Sequence, residues 1–451
     1  MKIPLALSAN FGELRTDHFH SGLDIKTQGV IRKEVVAAAD GYVYRISVSP
    51  GGFGKALYIK HPSGYSTVYG HLDKFIPEIE EYVVSRQYEE ESFMVTLWPP
   101  NERFRFNQGD LIAYSGNSGS SSGPHLHYEI RKTDEEIPVN PLQFEFGIED
   151  NIKPVIEKLA IYPIGSGALI NNQNKALKIN VSGSNGRYSI PSVITVSGAA
   201  GFGIKSYDQM NGSNRSSVYS IELVIDSQEV FNYRMDSFSF NESRYVNSHI
   251  DYEAFIKDDI RIERAFILPN DKLGAYGKAV NRGVFDFNDD NKHHIELIVT
   301  DIYKNKSSLA FTVISSTSGH TQATQTSGKD YILMPHNRNN KYISKEVSVN
   351  IPSGTLYDTL FFVFKKVKGN SLMYSDVYQI HNNLTPVHRT YTLSIKPDRI
   401  PVGKVSKLLV VQLSDENQKI PLGGTWGNGY LTANPNSFGN FFVGIDTVPP
   451  V

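Results

Sequence analysis

Four histidines and one aspartate in the first third of the chain have the residue types and the spacing of a metal site. His20 and Asp24 stand in a His-Ser-Gly-Leu-Asp motif, His71 in Tyr-Gly-His-Leu-Asp, and His125 and His127 in His-Leu-His. A catalytic zinc is usually held by three His, Asp or Glu side chains and keeps its fourth position open for water. Five candidates for three positions leave two groups for proton transfer. The motifs therefore predict a hydrolytic zinc site.

The alternation of side chains along a β-strand can place these groups on one surface, because successive residues point to opposite faces. On this rule His20 and Asp24 share a face, with Gly22 leaving room between them. The second histidine segment has one face made of His125, His127, Glu129 and Arg131. The segment before His71 has one face made of Tyr65, Thr67, Tyr69 and His71. One antiparallel sheet could bring the three faces together, but spacing alone does not tell which of His125 and His127 binds metal.

The motifs and their surroundings resemble the LytM/lysostaphin-type zinc metallopeptidases, the M23 family. The resemblance covers about the first 145 residues and includes HSGLD at 20–24, VVAAADGYV at 35–43, GFGKALYIKH at 52–61, YSTVYGHL at 65–72, GDLIAYSGNSGSSSGPHLHYEI at 109–130 and NPLQF at 140–144. It implies a small antiparallel β domain that cleaves peptide bonds in bacterial cell-wall peptides. It further implies that His20, Asp24 and His127 bind Zn²⁺, and that His71 and His125 orient and deprotonate the water and stabilise the oxyanion.

The segment Gly116–Gly123 resembles the Gly/Ser-rich loop beside the cleft of that family. Small residues allow tight turns and close backbone approach, so a peptide substrate could hydrogen-bond to this backbone. Composition alone favours an ordinary flexible hairpin loop. The candidate substrate-binding residues are Tyr69, Asn117, Ser118, Gly119 and Ser121.

One segment departs from the compact family pattern, an insertion at about residues 76–107 with several glutamates and a Trp-Pro-Pro sequence. We interpret it first as a solvated surface insertion. The alternative is a lid that narrows the cleft and selects substrate.

Composition excludes several other functions. The 451 residues carry a net charge of −2, which gives no indication of nucleic-acid binding or of an anionic membrane surface. The absence of cysteine excludes disulfides and a cysteine nucleophile. The sequence contains no H-E-x-x-H motif. The sequence contains no transmembrane run and no signal peptide, so we expect that an export signal has been removed from a periplasmic, envelope or secreted protein.

The remaining two-thirds of the chain shows short alternating runs that favour β structure. The predicted fold is all-β: an antiparallel metallopeptidase domain at 1–148, then β-sandwich, immunoglobulin-like domains at 152–315 and 330–451. Ser316–Lys329 is predicted to be a linker. A phrase beginning at Gly147 recurs at Gly444, which suggests that the chain is truncated before another domain. The segment Ser206–Asn211 lacks EF-hand spacing and predicts an ordinary turn.

The sequence therefore predicts a zinc-dependent endopeptidase that cleaves peptide cross-links of bacterial peptidoglycan by attack of a metal-activated water. Peptidoglycan peptides are the expected substrates, and the C-terminal domains could bind an envelope protein. The alternative is a catalytically inactive wall-binding scaffold or an activator of other cell-wall hydrolases.

Overall fold

The computed structural model describes residues 1, 3–100, 102–210, 212–317, 331–416 and 418–447. They divide into two compact units, Met1–Val246 with Leu273–Gly319, and Asn247–Lys272 with His320–Val451. The prediction of an all-β fold is confirmed. The three-domain boundaries stay a prediction, and nearly all of the predicted linker and the last four residues lie outside the described residues.

The first part of the chain forms one antiparallel sheet. Its strands are β1 (Leu7–Ala9), β2 (Leu23–Lys26), β3 (Glu34–Val36), β4 (Gly41–Val48), β5 (Lys55–Lys60), β6 (Tyr65–Phe75), β7 (Val95–Leu97), β8 (Arg105–Phe106), β9 (Leu111–Ser115), β10 (His125–Lys132) and β11 (Ile137–Val139). The main path through this sheet is β1-β2-β10-β6-β5-β4-β7. Because β10 lies between β2 and β6, the three histidine-bearing segments are immediate neighbours.

The register of β10 decides which side chains share a face. His127 is opposite Asp24 on β2 and opposite Gly70 on β6, whereas Tyr128 is opposite Tyr69. Residues directly opposite each other in a sheet point to the same side. Tyr69 and Tyr128 are both buried in the core, so this side of the sheet is the core face. The prediction that Tyr69 and His71 share a face is therefore wrong.

A β-bulge brings His71 back to the face that carries His127 and Asp24. Leu57 and Lys55 of β5 lie opposite Tyr69 and Leu72 of β6, so β6 has one extra residue at this point. His71 itself has a left-handed φ of +56°. A bulge re-aims the side chains next to it, and a non-glycine residue with positive φ is uncommon. Strict alternation fails at His71 for this reason.

The insertion forms a helix and two short strands on the sheet. Helix α1 (Pro77–Glu89) begins with a proline, which suits the first helical position, and it buries Ile79 and Val83. Strands β7 and β8 both pair with β4. The insertion also exposes large side chains, including Tyr88 in the last turn of α1 and Trp98 after β7.

The next segment adds a second sheet and short helices. The elements are β12 (Val155–Pro163), β13 (Leu169–Ile170), β14 (Leu177–Asn180), β15 (Ser182–Ser184), β16 (Arg187–Ser189), β17 (Ile194–Tyr207), β18 (Ser220–Ile225), β19 (Gln228–Arg234), α2 (Val246–His249), α3 (Tyr252–Asp258), β20 (Glu263–Arg264), β21 (Tyr276–Ala279), β22 (Phe285–Phe287), β23 (Lys292–Thr300) and β24 (Lys306–Ser315). In the first unit the sheet runs β14-β12-β17-β24-β23-β18-β19-β21.

The second unit contains a core between two five-stranded sheets of order β26-β27-β31-β35-β34 and β29-β30-β36-β32-β33, with β25 paired to β28. Its strands after β20 are β25 (Ile332–Met334), β26 (Asn340–Ile343), β27 (Val347–Ile351), β28 (Leu360–Phe362), β29 (Phe364–Val367), β30 (Val377–Ile380), β31 (Thr392–Ile395), β32 (Leu408–Leu413), β33 (Lys419–Gly423), β34 (Thr425–Gly427), β35 (Tyr430–Ala433) and β36 (Gly439–Ile445). The 3₁₀ helices of the two units are Pro141–Gln143, Phe240–Tyr245, Val280–Gly283 and Val405–Lys407. No helix in the described part of the chain is long and apolar enough to cross a membrane.

Candidate metal centre

The side chains of His20, Asp24 and His127 meet at one point. Nε2 of His20 lies 3.0 Å from Oδ1 of Asp24 and 3.1 Å from Nδ1 of His127, and that Nδ1 lies 3.0 Å from the same carboxylate oxygen. Two zinc ligands at about 2.0–2.2 Å from the ion are at most about 4.4 Å apart. The three atoms are therefore close enough to share one ion, and the set of two imidazoles and a carboxylate suits zinc.

Gly22 allows the first two of these groups to lie against β10. A Cβ atom at Gly22 would be 2.3 Å from the carbonyl oxygen of Tyr128. A side chain at this position would force the segment His20–Asp24 away from β10. The sequence indicated that Gly22 clears space between two ligands, whereas the structure shows that it allows two backbones to approach closely.

Each candidate histidine ligand is oriented by a hydrogen bond from its other ring nitrogen. Nδ1 of His20 is 2.7 Å from the carbonyl oxygen of Asn10, and Nε2 of His127 is 3.0 Å from Oε1 of Glu129. Acceptors at these positions hold a proton on the outer nitrogen, so the inner nitrogen is the one that a metal can bind. This fixes Nε2 of His20 and Nδ1 of His127 as the candidate ligand atoms.

Glu129 is fully buried in a network of charged groups. Ser21 Oγ donates a hydrogen bond to Oε1, and Arg131 Nε donates to Oε2 at 2.6 Å. Burial raises the pKa of Glu129, but Arg131, His127 and Ser21 outweigh that effect and lower the pKa to about 2. Glu129 is therefore an anion that His127 can use as a permanent acceptor.

The carboxylate of Asp24 is also held in its charged form. Burial raises its pKa, but hydrogen bonds from His125, His127 and His20 outweigh burial and hold the pKa far below its usual range. Arg15 Nη2 lies 3.3 Å from Oδ2, the oxygen that does not face the histidines. Asp24 is therefore available as an anionic ligand at neutral pH.

His71 and His125 lie beside this centre with ring centroids 4.7 Å apart. Nδ1 of His71 donates to the carbonyl oxygen of Ser118 at 2.8 Å, and Nδ1 of His125 is 2.8 Å from the carbonyl oxygen of Gly123. His71 therefore keeps Nε2 free for chemistry, whereas Nε2 of His125 faces the carboxylate of Asp24. Nε2 of His125 is 3.5 Å from Oδ1 of Asp24.

The environments of these two imidazoles push their pKa values in opposite directions. Burial lowers the pKa of His71 to about 4, so its ring is neutral at physiological pH. Burial also lowers that of His125, but the carboxylate of Asp24 outweighs burial and the net shift is upward. Two neighbouring imidazoles whose pKa values are shifted in opposite directions are suited to opposite roles in proton transfer.

Phe53 forms an apolar wall that the sequence analysis did not find. Its ring stacks on His127 with centroids 4.7 Å apart and an interplanar angle of 24°, and its carbonyl accepts from the backbone N–H of His71 at 2.8 Å. No sequence signal distinguishes Phe53 from other aromatic residues. Glu129, by contrast, was on the predicted face.

The Gly/Ser loop is anchored to the sheet rather than free. Ser118 Oγ donates to the carbonyl of Leu72 at 2.7 Å and accepts from the N–H of Lys55 at 3.0 Å. A Cβ on Gly119 would be 2.3 Å from the backbone nitrogen of Gly54, which explains why a glycine is needed there. These contacts fix the carbonyl that orients His71.

The other candidate substrate contacts have different environments. Ser121 Oγ donates to the carbonyl of Gly123 at 2.9 Å and lies 3.3 Å from Nδ1 of His125, while Asn117 is exposed. Tyr69 is 1% exposed, and its hydroxyl accepts from the N–H of Ala38 at 2.9 Å. The assignment of Tyr69 to substrate binding is therefore corrected, because its side chain belongs to the core.

Two histidines and a carboxylate converge on an antiparallel sheet, with two further imidazoles beside them, and this arrangement is a candidate metal site in a β domain. Residues 18–87 match peptidase family M23, so the N-terminal part of this chain resembles an M23-type peptidase domain, and further β modules follow it. Residues 332–446 match the Zu5-like domain.

Curated relatives match the same part of the chain. An uncharacterized metalloprotease of Haemophilus influenzae is 34% identical over 124 residues, which are 27% of this chain and 20% of the relative. The DD-carboxypeptidase/endopeptidase Mpg of Neisseria meningitidis is 32% identical over 130 residues, 29% of this chain and 23% of the relative. The peptidoglycan DD-endopeptidase ShyB of Vibrio cholerae is 31% identical over 111 residues, which are 25% of this chain and 20% of the relative. The chain thus spans about a fifth of the length of these relatives.

Two solved structures resemble the chain. The catalytic domain of the prophage-encoded M23 protein EnpA from Enterococcus faecalis is 23% identical, with 33% of this chain and 95% of that chain covered and a TM-score of 0.24. A zinc-containing peptidase from Vibrio cholerae is 26% identical, with 31% of this chain and 36% of that chain covered and a TM-score of 0.22.

Proposed function

We propose that this protein is a zinc-dependent endopeptidase that hydrolyses peptide cross-links of bacterial peptidoglycan in the cell envelope. The observation that carries the proposal is the convergence of His20, Asp24 and His127, with the imidazoles of His71 and His125 beside them. The match of residues 18–87 to peptidase family M23 and the names of the endopeptidase relatives support the choice of reaction and substrate.

The residues fit a zinc ion by donor type and by electrostatics. His20 and His127 offer ring nitrogens that face the centre, because outer acceptors hold the opposite nitrogen of each ring, and Asp24 offers an anionic oxygen. When bound there, zinc would activate a water molecule and polarise the carbonyl of the peptide bond to be cleaved.

The neutral ring of His71 is the proposed general base. Its Nδ1–H is committed to the carbonyl of Ser118, so its Nε2 lone pair faces outward and can take a proton from the attacking water. Its lowered pKa keeps it unprotonated across the physiological range. The left-handed backbone at His71 holds the ring in this position.

His125 is the proposed electrophilic partner. Its raised pKa favours a protonated ring whose Nε2–H can donate to the developing oxyanion and then to the departing amine. The carbonyl of Gly123 holds the ring through Nδ1. The two histidines would thus divide the proton transfers that the sequence assigned to them jointly.

The Gly/Ser loop is the proposed wall for an extended peptide. Gly119 and Asn117 offer backbone groups beside the rings, and Ser118 is committed to holding the loop. Small residues leave room for a substrate strand to approach this backbone.

The test is digestion of purified peptidoglycan and of defined cross-linked peptides, followed by mass spectrometry of the products. We expect cleavage at cross-link peptide bonds, loss of cleavage after chelation, and recovery with one equivalent of zinc. Binding of wall fragments without any cleavage by the zinc-loaded protein would contradict the proposal and favour the scaffold alternative.

A further inference from the structure

Three buried aspartates from distant parts of the first unit meet at one end of the second sheet. Asp150 precedes β12, Asp208 follows β17, and Asp301 follows β23. Each offers a carboxylate oxygen, and these oxygens all lie within 4.8 Å of one another. Asp150, Asp208 and Asp301 are 8%, 3% and 2% exposed, so their carboxylates lose most of their hydration when the chain folds.

The cluster lacks the positive charge that a buried carboxylate needs. Among the described residues, no lysine, arginine or histidine forms an ion pair with Asp150, Asp208 or Asp301. Burial and then the charges of Asp301 and Asp150 raise the pKa of Asp208 to about 8. Buried anions are normally paired or bound to a metal, since an uncompensated charge is costly.

Two carboxylate oxygens of the cluster have no hydrogen-bond partner in the described part of the chain. Oδ1 of Asp208 and Oδ2 of Asp150 are both buried and unpaired. The hydroxyl oxygens of Ser206 and Thr300, in the strand ends that carry Asp208 and Asp301, are also buried without a partner. The unsatisfied buried oxygens of Asp150 and Asp208 favour binding of a cation, which can accept their lone pairs.

The surrounding hydrogen bonds hold the cluster in place but do not neutralise it. The Asn305 side-chain amide donates to the carbonyl of Asp150 at 3.1 Å and to Oδ2 of Asp301 at 2.7 Å. The backbone N–H of Asn305 donates to Oδ1 of Asp301 at 2.8 Å, and that of Ile152 donates to Oδ1 of Asp150 at 2.9 Å. These neutral donors orient the carboxylates, and at least one oxygen of Asp150 and of Asp208 stays free.

The geometry points to a calcium site formed by Asp150, Asp208 and Asp301, distinct from the zinc centre. Calcium takes oxygen ligands at about 2.3–2.6 Å, so two ligands of one ion can be up to about 5 Å apart, which accommodates the observed limit. An all-oxygen, multiply anionic site selects a hard cation and does not suit zinc. Backbone carbonyls and water would complete the coordination.

The position of the site gives it a structural purpose. Asp150 lies two residues after Ile148, which belongs to the core of the peptidase domain, and Met210, close to Asp208, belongs to the same core. Ile302, next to Asp301, packs against that core as well. A cation bound here would tie the segment leaving the peptidase domain to two strand ends of the following sheet.

The test uses the full chain, stripped of calcium and reloaded with one equivalent of zinc. Calcium is then titrated by calorimetry and by thermal unfolding, with magnesium as the comparison ion. We expect one calcium per chain and a rise in Tm of about 5 °C at saturation, with a much smaller effect of magnesium. This readout does not depend on peptide hydrolysis, so its result is independent of the proposed activity.

The variants Asp208→Asn and Asp301→Asn should lose the calcium response. In calcium-free buffer Asp208→Asn should have a higher Tm than the wild type, because one repelling charge is removed, and the order should reverse with calcium. Asp134→Asn, which removes an exposed carboxylate of the same unit, should respond like the wild type. If either cluster variant does not fold, the wild-type titration still decides.

Three results would overturn the inference: no calcium response in the wild type, an unchanged response in Asp208→Asn, or an equal response to magnesium. The first would mean that a proton shared among the carboxyls neutralises the cluster.

Discussion

Oε1 of Glu129 lies 3.0 Å from Nε2 of His127 on the same face of β10. The two residues are neighbours on this face because alternate residues of a strand share a side. Glu129 holds the imidazole proton on Nε2, and this leaves Nδ1 to face Asp24 and His20. Glu129 thus orients the candidate metal ligand His127, although Glu129 is not itself a candidate ligand.

The first prediction follows from this pair. Glu129→Gln should weaken zinc binding about 10–100-fold, because the amide is a weaker acceptor for His127 and its NH₂ group faces Arg131. Competition with a chelator of known affinity measures the effect. Glu135→Gln, which changes an exposed glutamate three residues after Lys132, is the matched control and should bind zinc normally. Equal affinities for the two variants would show that Glu129 does not prepare the ligand.

The second prediction separates metal binding from catalysis. His71→Ala should keep zinc and lower kcat about 10²–10⁴-fold, since it removes the base and none of the converging atoms. His127→Ala should lose both zinc and cleavage. His18→Ala is the control, because His18 is exposed and pairs only with Asp17. Loss of zinc from His71→Ala would place His71 among the ligands instead.

The third prediction concerns the backbone at His71. A left-handed φ costs an L-residue about 1–2 kcal/mol relative to glycine, whose greater unfolded-state entropy offsets part of this difference. The free energy of unfolding of His71→Gly should therefore be about 1 kcal/mol higher than that of His71→Ala, although both variants lack the imidazole ring. Denaturant unfolding of the metal-free proteins measures the difference. A lower stability for the glycine variant would mean that the bulge is not strained.

The fourth prediction is a pH dependence of metal binding. Burial lowers the pKa of His127, but Asp24 and Glu129 outweigh burial and raise it to about 9 in the metal-free protein. Below that pH zinc must displace a proton, so affinity should rise with pH by about tenfold per unit between pH 7 and 8.5. Calorimetry in buffers of different ionisation enthalpy should show about one proton released at pH 7. A flat affinity over this range would contradict the raised pKa.

The fifth prediction tests the close contact of Gly22 with β10. Gly22→Ala should lower the free energy of unfolding by about 1–3 kcal/mol and weaken zinc binding, because the new Cβ collides with the carbonyl of Tyr128. Gly167→Ala is the control for stability, since a Cβ there meets no atom within 4 Å. If the two variants are equally stable, the segment His20–Asp24 can shift without cost.

The sequence by itself determined the face on which the candidate ligands lie. Alternation placed His127 with Glu129 because β10 is a regular strand with an apolar opposite face, and it placed His20 with Asp24 although His20 precedes β2. The all-β class followed from the same kind of pattern. These properties depend on residues close together in the chain, where the period of two fixes direction.

Only the tertiary structure decided the features that depend on register and on distant contacts. A single extra residue in β6 turned His71 to the face of the candidate ligands and left Tyr69 in the core, and local alternation cannot show a bulge. The register set His127, rather than His125, opposite Asp24. Asp150, Asp208 and Asp301 are separated by many residues and share no motif, so only the pairing of strand ends reveals that their charges meet.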